Sequence, residues 1–417
     1  MKHPKTLALI MAGGEGNRME LLTKDRAKPA LPYAGVYRLL DFPLSNCMHS
    51  GISHVWVIEQ FLPHSLNDHL ANGRPWDLDR TYGGLRIMPP HIGTQEGGWH
   101  RGNADAIHRN ARFIREFNPD LLLVLSADHV YKLDYNSVIE RHIERQADVT
   151  MVTTEVPIEE AGRFGTVRID EQGRVTDFEY KPDTPRSTTV TAEVFVYNAA
   201  VLLDTLDELA ARGPSDDEES SALKDFGHEL IPMLVERGRA YSYPLEGYWR
   251  DLGTIESYWR SHMDLLADEP LLDLDQPEWP ILTYGVQRMP ARIERPARIE
   301  NSLIAPGCLI RGRVVDSVLA PGVVVEQGAE VSHAIVFSDV RIATGAKVAY
   351  SILDSDARIG EGARIGEEPQ AGAQPNITLV GARASVAAGT TIAAGERVES
   401  STEYGAAQHA AAVGAER

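Results

Sequence analysis

The chain has 417 residues, more than one ordinary domain uses and enough for two or three. Charged residues make up 24% of it and hydrophobic ones 43%, the balance of a globular protein with a sizeable core. Its 60 acidic side chains outnumber 41 basic ones, giving a net charge of −19, and no basic run interrupts that excess. Nucleic acid and anionic membrane surfaces are therefore poor partners.

Lys2 and Lys5 precede an apolar stretch, as in a secretory signal. That stretch is shorter than the roughly 7–15 residues a signal needs and runs straight into "GGEGNR" with no small-residue cleavage site. A buried first strand, no membrane span and a cytoplasmic protein are expected. Cys47 and Cys308 have no Cys-x-x-Cys companion, so neither a disulfide framework nor a zinc site is expected. The apolar runs "TLALIMA", "HVWVIEQ", "LLLVLSAD" and "VTMVTTEV" read as strands of a buried sheet. Between them, "NADAIHRNARFIREF" (Asn103 to Phe117) and "YNSVIERHIERQ" have helical spacing. Strand–helix alternation predicts a mostly parallel sheet with helices on both faces, binding its ligands beyond the carboxyl ends of the strands.

"RGPSDDEESSALKDFG" (Arg212 to Gly227) is polar and acidic and reads as an exposed loop. Prolines cluster between Pro270 and Pro296, marking a linker. Beyond it, aliphatic residues recur in steps of five or six from Ile293 through Ile299, Ile304, Ile310 and Val315 to Ile365, with Ala320 dividing one longer gap. A second run, Val380, Val386, Ile392 and Val398, steps by six. Neither a helix (period 3.6) nor a simple strand (period 2) explains this spacing. A parallel β-helix does, each repeat forming one side of a coil with its aliphatic residue inward. The Ala/Gly-rich tail after Val398 is expected to fray.

The chemistry is concentrated near the start. After the first strand, Gly13-Gly14-x-Gly16-x-Arg18 fits neither G-x-G-x-x-G nor the Walker pattern. Glycines let backbone amides approach phosphate oxygens. A guanidinium in the same turn suits a reaction that builds charge on a leaving pyrophosphate. The turn is thus expected to hold a substrate phosphate rather than a resident dinucleotide. Arg26 and Lys28 follow in "DRAKPALP", where Pro29 and Pro32 predict an extended segment. Asp128 closes a very apolar strand and Asp251 stands among aromatics and glycines; each could be an ordinary cap. Beside a phosphate loop, the pair fits Mg²⁺ bridging substrate phosphates.

"LALIMAGGEGNRMELLTKDRAKPALPYAGVYRLLDFPLSNCMHSGI", "WHRGNADAI", "SADHVYK", "FGTVRID", "DFGHELIPMLVERG" and "YWRDLGTIESYW" resemble, in this order, the ADP-glucose pyrophosphorylases (glucose-1-phosphate adenylyltransferases). The resemblance implies a Rossmann-like α/β nucleotidyltransferase domain over 1–268, a linker over 269–292, a left-handed parallel β-helix of hexapeptide repeats over 293–400 and a flexible tail over 401–417. It implies the conversion of ATP and α-glucose 1-phosphate to ADP-glucose and pyrophosphate, with Mg²⁺, in glycogen synthesis. Small-molecule effectors and a homotetramer are implied as well. Gly13, Gly14, Gly16 and Arg18 would hold the triphosphate, Lys28 would lie by the phosphates, and Gln60 and Gly102 near the adenine. Asp128 and Asp251 would bind Mg²⁺, with Arg18, Lys28 and Asp128 the catalytic group. Gly165, Glu179, Tyr180, Lys181 and Glu193 would form the sugar-phosphate side, Lys181 gripping the phosphate.

Departures from the family pattern fall mostly at the sugar end. Glu179-Tyr180-Lys181-Pro182 replaces Val-Glu-Lys-Pro, and Thr191-Ala192-Glu193 replaces Ser-Met-Gly. His100 and Asn103 replace a common Tyr and Thr, and Asp25 stands where the enteric enzymes carry a lysine linked to activation by fructose bisphosphate. Three alternatives follow: the same transfer to another sugar 1-phosphate such as an amino sugar, a regulatory paralogue without turnover, or an acyltransferase on the β-helix. The last would need a histidine base, and the repeats offer only His333.

Overall fold

The computed structural model describes residues 4–90, 100–212, 223, 225–285 and 287–405. Its contacts divide the chain into two compact units interleaved in sequence. The first comprises Met1–Gly14, Phe42–Pro63 and Leu70–Trp249; the second comprises Glu15–Asp41, His64–His69 and Arg250–Arg417. The glycine turn is therefore shared between them, with Gly13 and Gly14 in the first unit and Gly16 in the second.

The first unit is built on a nine-stranded sheet. Strands β1 (Thr6–Ala12), β2 (His54–Glu59), β3 (Gly84–Met88) and β4 (Leu121–Ser126) pair in parallel, in the order β4-β1-β2-β3. The apolar runs of β1, β2 and β4 are buried, as strands covered on both faces require, whereas β3 at the edge carries the exposed Arg86. The helix Asn103–Phe117 has the bounds its spacing predicts. Ala104, Ile107, Ala111 and Ile114, one stripe at three- and four-residue steps, enter the core.

The rest of the sheet corrects the expectation of a mostly parallel arrangement. Strands β5 (Val149–Glu155), β6 (Gly165–Ile169), β7 (Val175–Tyr180), β8 (Thr189–Asn198) and β9 (Ala240–Pro244) complete it. β8 runs antiparallel to both β4 and β5, and β6 and β7 form an antiparallel hairpin. Only β9 is parallel to its neighbour, β5. Chain length decides this: a parallel return needs a crossover of a dozen or more residues, whereas β6 and β7 are joined by a tight turn. That turn closes through Gly173 N–H to the Asp170 carbonyl at 2.9 Å, with Gly173 at φ 80. The expected loop at 212–227 lies largely outside the described residues; its last two, Phe226 and Gly227, are buried in a π-helical turn, Phe226–Leu230, instead of exposed.

In the second unit, residues 292–404 coil into a parallel β-helix of three sheets with seven, six and six strands. Stacked aliphatics fill its interior. Val314, Val331, Val348, Ile365 and Ile392 form one column, and Leu319, Val336, Leu353, Val380 and Val398 another. Two inward positions differ from the sequence reading by one residue: Val314 is fully buried where Val315 was expected, and Leu319 pairs in the column where Ala320 was expected. The cause is a shorter coil here. Ile299 pairs with Val314 at fifteen residues, but Val314 pairs with Val331 at seventeen. Ile293, in the first coil, is 58% exposed. Of the tail, Glu403–Tyr404 still pairs with Ser385–Val386, and 406–417 lies outside the described residues.

Residues 15–41 pack in this same unit. Helix Ile255–Asp264 holds them: the Tyr33 hydroxyl donates to the Ser261 carbonyl at 3.2 Å, and Ala34 N–H donates to His262 Nε2 at 3.2 Å. The helix in turn meets the coils. Trp259 Nε1–H donates to the His333 carbonyl at 2.8 Å, and the Tyr258 ring stands edge-on to Phe337 at 6.4 Å. His333 itself stacks on Tyr350 at 4.6 Å. Cys47 and Cys308 are both buried and free. Among the described residues, no helix is long and apolar enough to cross a membrane.

Candidate active site

The glycine turn works by conformation and by space. Gly16 has φ 72, and a Cβ there would sit 3.0 Å from the Thr23 methyl and 3.2 Å from Lys28 Cβ. Its carbonyl accepts from Met19 N–H at 2.8 Å and from Thr23 Oγ1–H at 2.9 Å, folding Asn17–Thr23 into a 3₁₀ turn. Gly14 differs: a Cβ there would meet nothing within 4 Å, so its smallness leaves open room beside the backbone. Such room is what a backbone that approaches a phosphate requires.

Segment 26–32 is extended at Ala27 and Leu31, but Lys28–Ala30 makes one 3₁₀ turn, a correction to the fully extended reading. Pro29 fits there because its missing N–H falls where a short helix needs no donor. The turn sends the two cations to different partners. Arg26 makes a bidentate pair with Asp354 of the β-helix at 2.8 and 3.1 Å. Lys28, 7% exposed, places Nζ 3.9 Å from Asp251 Oδ1.

Gly253 closes this group from beside it. A Cβ on Gly253 would lie 2.7 Å from Asp251 Oδ2 and 3.2 Å from an Arg18 guanidinium nitrogen. The predicted residues Arg18, Lys28 and Asp251 are thus gathered in the second unit around a glycine the motif reading passed over. Only the "DLG" spacing after Asp251 could have indicated it. Two cations near a carboxylate, with Lys28 and Asp251 about one-tenth exposed, make a charged cluster able to balance phosphate charge.

The remaining predicted residues belong to the first unit. Gln60 is fixed by two hydrogen bonds to the His100 backbone: Nε2 donates to its carbonyl at 3.1 Å and Oε1 accepts from its N–H at 2.9 Å. Gly102 caps helix Asn103–Phe117 in extended backbone, and Asp105 in its first turn accepts from Arg101 N–H at 2.9 Å. Glu179 pairs with Arg186, and the Tyr180 hydroxyl donates to Asp225 at 3.0 Å while its ring stands edge-on to His228. Gly227 lies against that ring so closely that a Cβ would fall 2.0 Å from it, another glycine without a sequence signal. Lys181 takes φ 47 beside Gly165, whose own Cβ position is filled by the Phe178 ring. Asp128 follows β4 and accepts from the Ser126 hydroxyl; with His129 and Glu193 it gathers three donor atoms within 4.8 Å of one another. Asp128 and Asp251 supply hard carboxylate oxygens, the donors a divalent cation carried by phosphates takes.

Residues 7–268 match the family model described as nucleotidyl transferase, and residues 289–380 match the one described as GlmU-like, C-terminal hexapeptide. The chain is 40% identical to a glucose-1-phosphate adenylyltransferase of Bacillus cytotoxicus, over 82% of this chain and 89% of that relative. Identity to one of Bacillus thuringiensis is 42% over 81% and 88%, and to one of Desulforamulus reducens 40% over 82% and 84%.

Proposed function

Because the chain belongs to the nucleotidyl transferase family, among the glucose-1-phosphate adenylyltransferases, we propose how its residues share the work of that reaction. The enzyme transfers AMP from ATP to α-D-glucose 1-phosphate, giving ADP-glucose and pyrophosphate, the sugar nucleotide of glycogen synthesis. A phosphate oxygen of the sugar attacks the α-phosphorus in line, the new P–O bond forms, and the bond to pyrophosphate breaks. No covalent nucleophile is needed, so catalysis consists of positioning and charge stabilisation.

The single observation that supports this division is the group Arg18, Lys28 and Asp251 around Gly253, beside a glycine turn with open room at Gly14. Gly13, Gly14 and Gly16 offer backbone to the triphosphate, and Arg18 and Lys28 balance the charge that grows on the departing pyrophosphate. Gln60 and Gly102 face the base. Lys181 grips the sugar phosphate, with Gly165, Glu179, Tyr180 and Glu193 on the same side. A divalent ion supplies charge neutralisation at the phosphates; we assign it as Mg²⁺, held by Asp128 and Asp251. Resemblance to the family supports a cytoplasmic homotetramer that answers to small-molecule effectors, with a catalytic fold over 1–268 joined through 269–292 to the β-helix.

Asp251→Asn tests this directly. At saturating Mg²⁺ it should lower pyrophosphate release by a hundredfold or more while the melting temperature stays within a few degrees. Activity within a factor of a few of the parent would remove Asp251 from the mechanism.

A further inference from the structure

The turn Asn17–Thr23 carries Arg18, and one of its residues has angles that suit another amino acid. Glu20 has φ 48 and ψ −122, the first corner of a type II′ turn, where glycine is the usual residue. A side chain held there is strained, and such strain persists only where the surroundings impose it. Here the Glu20 carboxylate accepts from two nitrogens of Arg397: Nε, and Nη2 at 3.1 Å from Oε1. The two residues belong to the same compact unit, although 377 residues separate them.

Arg397 is a rigid support for this contact. It opens the strand Arg397–Val398, which pairs with Leu379–Val380, and Val398 beside it is 1% exposed in the interior column. Its Nη1 donates to the Ile377 carbonyl at 2.6 Å and to the Gly395 carbonyl at 2.8 Å. Hydrogen bonds from three nitrogens thus aim the planar guanidinium, a geometry that a lysine does not reproduce. On the other side of Arg18, the Thr23 hydroxyl donates to the Gly16 carbonyl at 2.9 Å and lies 3.3 Å from the Glu20 carbonyl. Met19, Leu21 and Leu22 are buried, whereas Arg18 is exposed. Packing holds the apolar residues of the turn, and the direction of Arg18 follows from backbone fixed at Gly16 and at Glu20.

We infer that Arg397 is a positioning residue for adenylyl transfer: through Glu20 it fixes the turn that presents Arg18 to the triphosphate. The inference rests on the assignment of Arg18 to the triphosphate and adds to it a residue of the β-helix. The pair also acts on charge, because a Glu20 carboxylate occupied by Arg397 does not compete with phosphate oxygens for the Arg18 guanidinium. Its effect lies in geometry, since a pair this exposed adds little to stability.

Steady-state kinetics and thermal melts of the full chain test it. Arg397→Gln should lower kcat/KM for ATP about tenfold, leave KM for glucose 1-phosphate within about a factor of two, and melt within a few degrees of the parent. Glu20→Gly keeps the fold, because glycine takes the type II′ corner without strain, and should lower kcat/KM for ATP to a similar extent. Adding Arg397→Gln to Glu20→Gly should cost nothing further, since its action passes through Glu20. Unchanged ATP kinetics in Arg397→Gln would overturn the inference. So would losses that multiply in the double variant, or an equal loss for both substrates with a lowered melting temperature, the mark of a merely structural residue. Arg18→Gln reads the underlying assignment separately. If it leaves ATP kinetics intact, that assignment fails; if it is impaired while Arg397→Gln is not, the role of Arg397 alone fails.

Discussion

At the residue scale, the decisive contacts are those around Gly253. A methyl group there would collide with the Asp251 carboxylate at 2.7 Å, with little slack, because Asp251 also faces Lys28. Gly253→Ala should therefore lower kcat at least tenfold with a melting temperature within a few degrees of the parent. Steady-state kinetics beside a thermal melt decide it, and a fully active variant would mean that Asp251 can move freely. Tyr180 gives a milder case. Tyr180→Phe removes one hydrogen bond to Asp225, worth about 1 kcal/mol of stability, and leaves the ring against Gly227. Arg18, Lys28, Asp128 and Asp251 stand out in the sequence as candidates because charged residues beside a glycine turn or at the end of an apolar strand need a reason, and the structure brings Arg18, Lys28 and Asp251 together. Gly253 and Gly227 do not stand out, since their role is to be small against a side chain distant in sequence. Nor could spacing show that Arg26 and Lys28, two residues apart, part company at a single 3₁₀ turn.

At the element scale, segment 15–41 is held to the coils by ion pairs of unequal weight. Glu20–Arg397, Lys24–Glu399 and Asp25–Arg383 are largely exposed, and such pairs contribute about 0–1 kcal/mol and fade with salt. Arg26–Asp354 is different, with Asp354 1% exposed. Removing one partner of a buried pair costs about 3–5 kcal/mol. Asp354→Ala should thus lower the melting temperature far more than Glu399→Ala, a ranking that paired melts at low and high salt will check. His262 locks the same segment in a pH-dependent way. Its Nδ1–H donates to the Tyr258 carbonyl at 2.9 Å while Nε2 accepts from Ala34 N–H, so only the neutral ring satisfies both. Burial pushes its pKa down from 6.5 to about 4. In that window the unfolded chain binds a proton and the native chain does not. Stability is thus complete above pH 6.5 and falls as the pH drops toward 4, by on the order of 3 kcal/mol at most. A melt at pH 5 should lie below one at pH 7, and His262→Gln should flatten the difference; an equal slope would clear His262. Four strands of the sheet (β1, β2, β4 and β5) and the helices Asn103–Phe117 and Tyr135–Glu144 were readable from periodicity; helix Ala199–Ala211 was not. The antiparallel β8 was not, because its apolar residues would suit either direction and only the short β6–β7 turn decides.

At the scale of the whole molecule, contacts cut across the order of the chain. Residues 15–41 and helix Ile255–Asp264 belong with the β-helix, although 375 residues separate Lys24 from Glu399 near the coils' end. Hexad spacing reveals the solenoid from sequence alone, because each coil repeats the same inward step. What else packs in its unit has no periodic signal. A chain ending at residue 289 would lose Asp354 from Arg26 and Phe337 from Tyr258, so it should aggregate or melt without cooperativity and show no turnover. Light scattering and a melt would show this, and a soluble, active fragment would contradict it. The most direct measurement incubates the purified full chain with Mg²⁺ and pairs each of several nucleoside triphosphates with several sugar 1-phosphates, resolving the nucleotide sugars formed. Adenylyl transfer to glucose predicts ADP-glucose as the dominant product, with one pyrophosphate released for each; a preference for glucosamine 1-phosphate, or no product from any pair, would contradict it.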